Sequence, residues 1–291
     1  MKIFIDGEYG TTGLHLAEQI KQLGGAELLS IPHDKKKDVE AKTALLNCAD
    51  VVFLCLPDEA AIASAKLVIN PKTVIIDCST AHRTEWTYGF AELDDKFFSE
   101  IKTSNRIANP GCHATGFCAV VYPLIKHGII PPDKTVCAYS LTGYSGGGRA
   151  VIEEYETNNI KGAAIYSLGL KHKHLPEMQK VCGLEKPPIF SPIITDVPRG
   201  MLVGTAIEEN CEKVYNVLSK HYENTAIKVK TARDARHLDV DELATTNKLT
   251  IYVTGNEQQT LAIASLDNLG KGAGGAAIQN FKIRTGALNK I

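Results

Sequence analysis

The sequence predicts an α/β chain whose first third is a doubly wound parallel sheet and whose later part has a more open texture. Three observations predict it. Short apolar runs alternate with helix-spaced segments over residues 1 to about 111, a glycine triplet follows the first apolar run at once, and the later candidate strands sit beside glycine-rich loops. A chain of 291 residues has room for two domains and a substantial core.

Taken in order, residues 2–5 read as a short apolar strand, and Leu14, Ala17, Ile20 and Leu23 fall at helical spacing. A second strand is expected over 27–31, a helix over 39–46, a third strand over 50–56, a helix over 59–68 and a fourth strand over 73–77. Apolar strands separated by helices indicate a parallel sheet covered on both faces.

Gly7, Gly10 and Gly13 form Gly-x-x-Gly-x-x-Gly between the first strand and the first helix, with Thr11 and Thr12 inside the turn. Glycines let the backbone approach a pyrophosphate, and the helix N-terminus supplies N–H donors. A tight turn without a ligand is the alternative. The second strand ends Ser30-Ile31-Pro32-His33-Asp34, followed by Lys35, Lys36 and Lys37. A basic run of this kind suits a ribose 2′-phosphate, hence NADP(H). Asp34 keeps NAD open, and a solvated lysine loop remains a competing explanation.

Asn109-Pro110-Gly111-Cys112-His113-Ala114-Thr115 places a cysteine where a turn enters a helix. Unpaired N–H groups there favour a thiolate, a credible nucleophile toward an activated acyl group. A small buried residue opening a helix is the plain alternative. The other cysteines show no paired or metal-ligand spacing, and Cys55 and Cys78 lie in apparent buried strands, which fits a reducing compartment. A strand over 136–141 runs into Thr142-Gly143-Tyr144-Ser145-Gly146-Gly147-Gly148-Arg149. The three glycines admit close approach to a ligand, and Arg149 presents a fork suited to carboxylate or phosphate. His172 and His174 follow, with Glu177 three residues beyond His174. If His174 opens a helix, that carboxylate orients its ring. Metal binding is the rival explanation, but no further ligand set accompanies the pair.

Net charge is −1, from 32 basic and 33 acidic residues, so the composition advertises neither nucleic acid nor an anionic membrane. The expectation is a soluble cytoplasmic protein, because no signal-like core or membrane-length apolar run is found.

These residues resemble a family. IDGEYGTTGL (5–14), LCLPDEA (54–60), DCSTAHR (77–83), YGFAEL (88–93), NPGCHAT (109–115), GYSGGGR (143–149), HKHLPEM (172–178), IFSP (189–192) and LDNLGKGAGGAAIQN (266–280) are similar to the shorter form of N-acetyl-gamma-glutamyl-phosphate reductase, within the aspartate-semialdehyde dehydrogenase-like superfamily. His113 departs from the tyrosine commoner there. The resemblance implies NADPH-dependent reductive dephosphorylation of an acyl phosphate in arginine biosynthesis. In it Cys112 forms a thioester and His174 acts as acid–base, while Arg83, Arg149, His172, Glu177 and Ser145 contact substrate. For Arg83, a surface salt bridge is the competing reading. Cofactor contacts are expected at Gly7, Gly10, Thr11, Thr12, Gly13, Lys35, Pro57, Ser79, Asn268 and Gly272, with no metal. It further implies a discontinuous Rossmann domain, 1–111 plus 270–291, and an α+β catalytic domain, 112–269, with an open mixed sheet and a dimer or tetramer interface. Candidate strands in that domain are 228–231, 250–254 and 260–266. Rival functions are an aspartate-semialdehyde dehydrogenase, an aminoadipyl-phosphate reductase and, in a different class, a non-catalytic NADP sensor.

Overall fold

The first apolar run forms β1 (Lys2–Asp6), with Ile3, Phe4 and Ile5 all but inaccessible. α1 (Thr11–Leu23), β2 (Glu27–Leu29), α2 (Val39–Cys48), β3 (Val51–Leu54), α3 (Asp58–Leu67), β4 (Val74–Asp77), β5 (Thr87–Tyr88), α4 (Asp95–Thr103) and β6 (Arg106–Ala108) follow. The computed structural model describes residues 1–32, 38–233 and 235–290. These six strands make one sheet, ordered β2-β1-β3-β4-β6-β5, with every neighbouring pair parallel. β3 and β4 are buried at every residue, as expected of strands covered on both faces. The chain reverses direction across the sheet between β1 and β3, and in such sheets the crevice at the strands' C-terminal ends is where ligands bind.

α1 starts at Thr11, three residues before the apolar periodicity begins, because its first turn is polar. β2 and β3 stop short of the apolar runs that suggested them. Residues 276–290 join this unit through the last helix, Gly275–Arg284. Asn280 donates to Gly89 O at 3.0 Å, and Arg284 donates to Ser104 O at 2.8 Å. The compact unit therefore comprises Met1–Ala91, Asp95–Pro110 and Ala276–Lys290.

The second unit comprises Glu92–Asp94 and Gly111–Gly275. Its elements are α5 (Cys112–Lys126), β7 (Cys137–Gly143), α6 (Arg149–Thr157), β8 (Ala164–Ile165), α7 (Leu175–Cys182), β9 (Ile189–Thr195), β10 (Met201–Ile207), α8 (Cys211–His221), β11 (Lys228–Thr231), β12 (Leu249–Gly255) and β13 (Thr260–Leu266). A π-helical turn, Gly270–Gly274, closes it. Seven strands form an open sheet ordered β11-β12-β13-β10-β7-β9-β8. Parallel pairs at β11–β12 and β7–β9 make it mixed.

α5 is the core helix of this unit. Eleven of its 15 residues are buried, so it has no solvated face of any width. Pro123 lies inside it, which removes the N–H that would bond the carbonyl four residues back. That carbonyl, Ala119 O, accepts instead from the Tyr222 hydroxyl at 2.8 Å. Tyr222 is 2% exposed, and burial pushes its phenol well above the ordinary range, keeping it a donor. No helix among the described residues is long and apolar enough to cross a membrane.

Candidate active site

Cys112 is the first residue of α5, with Gly111 as N-cap. Gly111 offers no side-chain cap and the first turn carries no acid, so the helix field at the half-buried thiol favours negative charge. The Gly111 N–H donates to Glu177 Oε1 at 2.9 Å. Glu177 is 2% exposed and sits in the first turn of α7. It thus pins the residue before the thiol, a contact that sequence spacing did not reveal.

The turn Gly270–Gly274 packs on Cys112 from another side. A Cβ at Gly272 would stand 2.7 Å from Cys112 Cβ and 3.0 Å from Asp267 O, so only glycine fits there. Lys271 and Glu92 form a buried ion pair at 2.7 and 2.8 Å that anchors this turn. π-helical turns often mark functional sites, and the lysine among glycines was its one sequence signal.

Three histidine rings gather at the second residue of α5. His174 is the N-cap of α7 and 4% exposed. Its backbone N–H donates to His172 Nδ1 at 3.1 Å, so a neutral His172 carries its proton on Nε2. The His172 ring lies 4.8 Å from that of His174 and 5.0 Å from that of His113. His113 pairs through Nδ1 with Ser140 Oγ at 2.9 Å and through Nε2 with Tyr166 Oη at 2.8 Å. Burial, with the His172 and Lys173 charges, lowers its pKa to about 3, so it stays neutral. Burial and then the proximity of Cys112 push the Tyr166 phenol up. Ser140 and Tyr166 carried no sequence motif; only the fold brings them to position 113.

Ser145 is buried, and its hydroxyl accepts from Asn268 Nδ2 at 3.0 Å. Asn268 also accepts from the Gly200 N–H at 3.0 Å and is 1% exposed, which makes it a brace for the 143–148 loop. Arg149 opens α6 and is exposed.

In the first unit, Gly7 has φ +96, and a Cβ there would collide with the Cys55 carbonyl oxygen; one at Gly13 would collide with Gly7 O. The turn is a cradle that side chains would fill. Gly10 caps α1 without a side-chain hydrogen bond, and the first turn, which includes Thr11 and Thr12, carries no acid. These features fit a dinucleotide pyrophosphate. Pro57 is the exposed N-cap of α3. The Ser79 hydroxyl donates to Asp77 Oδ2 at 2.8 Å, and His82 Nδ1 lies 2.6 Å from the same oxygen. Arg83 is 7% exposed, its Nε donating to Asn109 O at 2.9 Å and its Nη2 to Cys78 O at 3.3 Å. It therefore ties the ends of β4 and β6 from a buried position and not from the surface. Lys35 lies outside the described residues.

A parallel-sheet nucleotide fold, with a helix-terminal thiol on a second, mixed-sheet unit, defines a semialdehyde-dehydrogenase-type protein. Residues 112–268 match the family described as semialdehyde dehydrogenase, dimerisation domain. Among solved structures, aspartate semialdehyde dehydrogenase II from Vibrio cholerae superposes with a TM-score of 0.74, at 15% identity, over 99% of each chain. That likeness concerns the fold. N-acetyl-gamma-glutamyl-phosphate reductase 2 of Nostoc sp. is 39% identical, over 100% of this chain and 98% of that protein. The reductase of Chelativorans sp. is 38% identical over 99% of both. The chain belongs to the N-acetyl-gamma-glutamyl-phosphate reductase family.

Proposed function

We propose that the protein reduces N-acetyl-gamma-glutamyl phosphate to the semialdehyde and phosphate, with NADPH, through a thioester on Cys112 in arginine biosynthesis. The observation that carries this is the thiol at the N-terminus of α5, followed directly by His113, whose ring lies 5.0 Å from that of His172 and 5.6 Å from that of His174, in a chain 39% identical over its whole length to such a reductase. Cys112 Sγ attacks the acyl carbon, and phosphate leaves with the bonding pair. Helix N–H groups at α5 face the oxyanion that forms. NADPH, when bound, supplies the hydride that reduces the thioester. The imidazole of His174 takes the thiol proton before attack and returns one as the aldehyde forms, assistance typically worth about 10²–10⁴-fold. His172 Nε2–H and Arg149 bind the substrate's anionic groups, and Ser145 closes the loop beneath it, held by Asn268. Arg83 and Glu177 act by position, on Asn109 O and Gly111 N. Gly7, Gly10, Thr11, Thr12 and Gly13 hold the pyrophosphate, with Pro57 and Ser79 at the neighbouring strand ends and Gly272 beside the thiol. Lys35 is assigned to the ribose phosphate from sequence. The dimerisation-domain match supports a homodimer or homotetramer, and the composition supports the cytoplasm.

The test is phosphate-dependent reduction of NADP with N-acetylglutamate semialdehyde. Cys112→Ala should abolish it and His174→Ala should reduce it strongly. Activity confined to aspartate semialdehyde or to the aminoadipate homologue would move the substrate assignment. NADPH binding without turnover of any semialdehyde would favour the sensor.

A further inference from the structure

Two sulfur atoms in the first unit take no part in this acyl transfer. β3 and β4 are adjacent parallel strands in the register Leu54↔Asp77, and each is followed at once by a cysteine, Cys55 and Cys78. The ladder continues through both. Cys78 N–H donates to Leu54 O at 2.9 Å, and Cys55 N–H donates to Asp6 O at 2.8 Å. Paired strands stand about 4.8 Å apart, inside the roughly 4.4–6.8 Å Cα separation of disulfides. Register partners project to the same face. Both residues are half-buried.

Their surroundings link them to the cofactor cradle. The Cys55 carbonyl is the group against which Gly7 is packed without room for a Cβ. Ser79 directly follows Cys78, with its N–H and hydroxyl fixed to Asp77. Drawing the end of β3 toward that of β4 therefore moves the floor under the glycine turn.

We propose that Cys55 and Cys78 form a reversible intramolecular disulfide that weakens NADPH binding to the first unit. The cofactor part of this rests on the reading under the preceding heading. The oxidant is a small disulfide such as glutathione disulfide. One cysteine thiolate attacks it and releases one glutathione thiol. The second cysteine then displaces the other glutathione and closes the protein disulfide. The protein gives up two electrons and two protons, and one glutathione disulfide becomes two thiols. The neighbouring Cys78 thiol, burial, and the Asp77 and Asp6 charges hold the Cys55 thiol well above its ordinary range. Thiolate is then scarce, so the pair responds to a sustained oxidising poise and not to a brief one.

The experiment uses the full chain carrying Cys112→Ala, so that the nucleophile does not consume oxidant. After incubation with glutathione disulfide, remaining thiols are alkylated and the digest is mapped by mass spectrometry. NADPH affinity is read from nicotinamide fluorescence before oxidation, after it, and after dithiothreitol. A linked Cys55–Cys78 peptide is expected, with Kd raised about tenfold, equivalent to about 1.4 kcal/mol, and restored by reductant. Adding Cys55→Ser or Cys78→Ser should remove both effects. Alkylation or separate glutathionylation of the two cysteines, or a linked peptide with unchanged Kd, overturns the proposal. Failure of the reduced protein to bind NADPH breaks the cofactor reading instead, while the peptide map still decides whether the disulfide forms.

Discussion

Gly272→Ala is the substitution for which the structure gives the sharpest expectation. The new methyl carbon would lie 2.7 Å from Cys112 Cβ, 3.0 Å from Asp267 O and 3.2 Å from Cys112 Cα. Carbon atoms rest at about 3.5–4.0 Å, so roughly 1 Å of clearance is missing. The backbone of Gly272 has little room to retreat, because its N–H is bonded to Asp267 O at 2.9 Å and Lys271 beside it is paired with buried Glu92. Relief must come from Cys112. Overpacking of this sort costs about 1–3 kcal/mol in stability, and a nucleophile displaced by about 1 Å loses on the order of 10²-fold in rate. The assay is kcat for phosphate-dependent NADP reduction, with thermal unfolding and NADPH affinity measured beside it. Gly169→Ala serves as the control, since a Cβ there meets nothing within 4 Å. A folded Gly272→Ala protein with unchanged kcat would refute the argument that this glycine exists to admit the thiol.

Glu177→Ala leaves the Gly111 N–H without its carboxyl acceptor, and a buried donor so stranded costs about 1–3 kcal/mol. Tm and kcat should both fall, and Glu177→Gln, which keeps an acceptor oxygen, should recover much of each. His113 has a folded pKa of about 3, below its unfolded value near 6.5. The unfolded chain therefore binds the extra proton, and the resulting stability is complete above about pH 6.5 and is lost as pH falls toward about 3. Within that window His113→Gln should flatten the dependence of urea-unfolding free energy on pH by about 1.4 kcal/mol per pH unit. Lys271→Met strands the Glu92 carboxylate in the core, a loss of about 3–5 kcal/mol. Lys271→Met with Glu92→Gln should unfold at a higher temperature than Lys271→Met alone.

Much of the first unit was legible because its signals are local. Strand β1, the glycine turn and α1 follow one another within 23 residues, and each is announced by apolar spacing or by glycine. β11 and β13 begin and end where the candidate strands 228–231 and 260–266 lie. β8 and β9 carried weaker signals, because β8 is a two-residue edge strand and β9 contains Pro192. At the candidate site, Cys112, His172 and His174 stand in motifs that the sequence displays. What surrounds them is not displayed there. Glu177 reaches Gly111 across 66 positions, and Ser140 and Tyr166 reach His113 across 27 and 53. Such contacts are set by how α5 lies among its neighbours, and no local pattern encodes that. A tyrosine, which the resemblance leads one to expect at 113, has one polar atom, whereas the imidazole of His113 has two and so bridges both partners.

The Tyr222–Ala119 bond ties the ancestry of two distant positions together. A lineage that loses the phenol while Pro123 is still present exposes its core helix to an unanswered carbonyl. One that first replaces the proline restores the helix's own bond and makes position 222 negotiable. Substitutions at the two sites are therefore ordered, proline before tyrosine. Descendants of this chain are expected to keep the pair, lose the proline alone, or lose both, with the remaining combination under-represented.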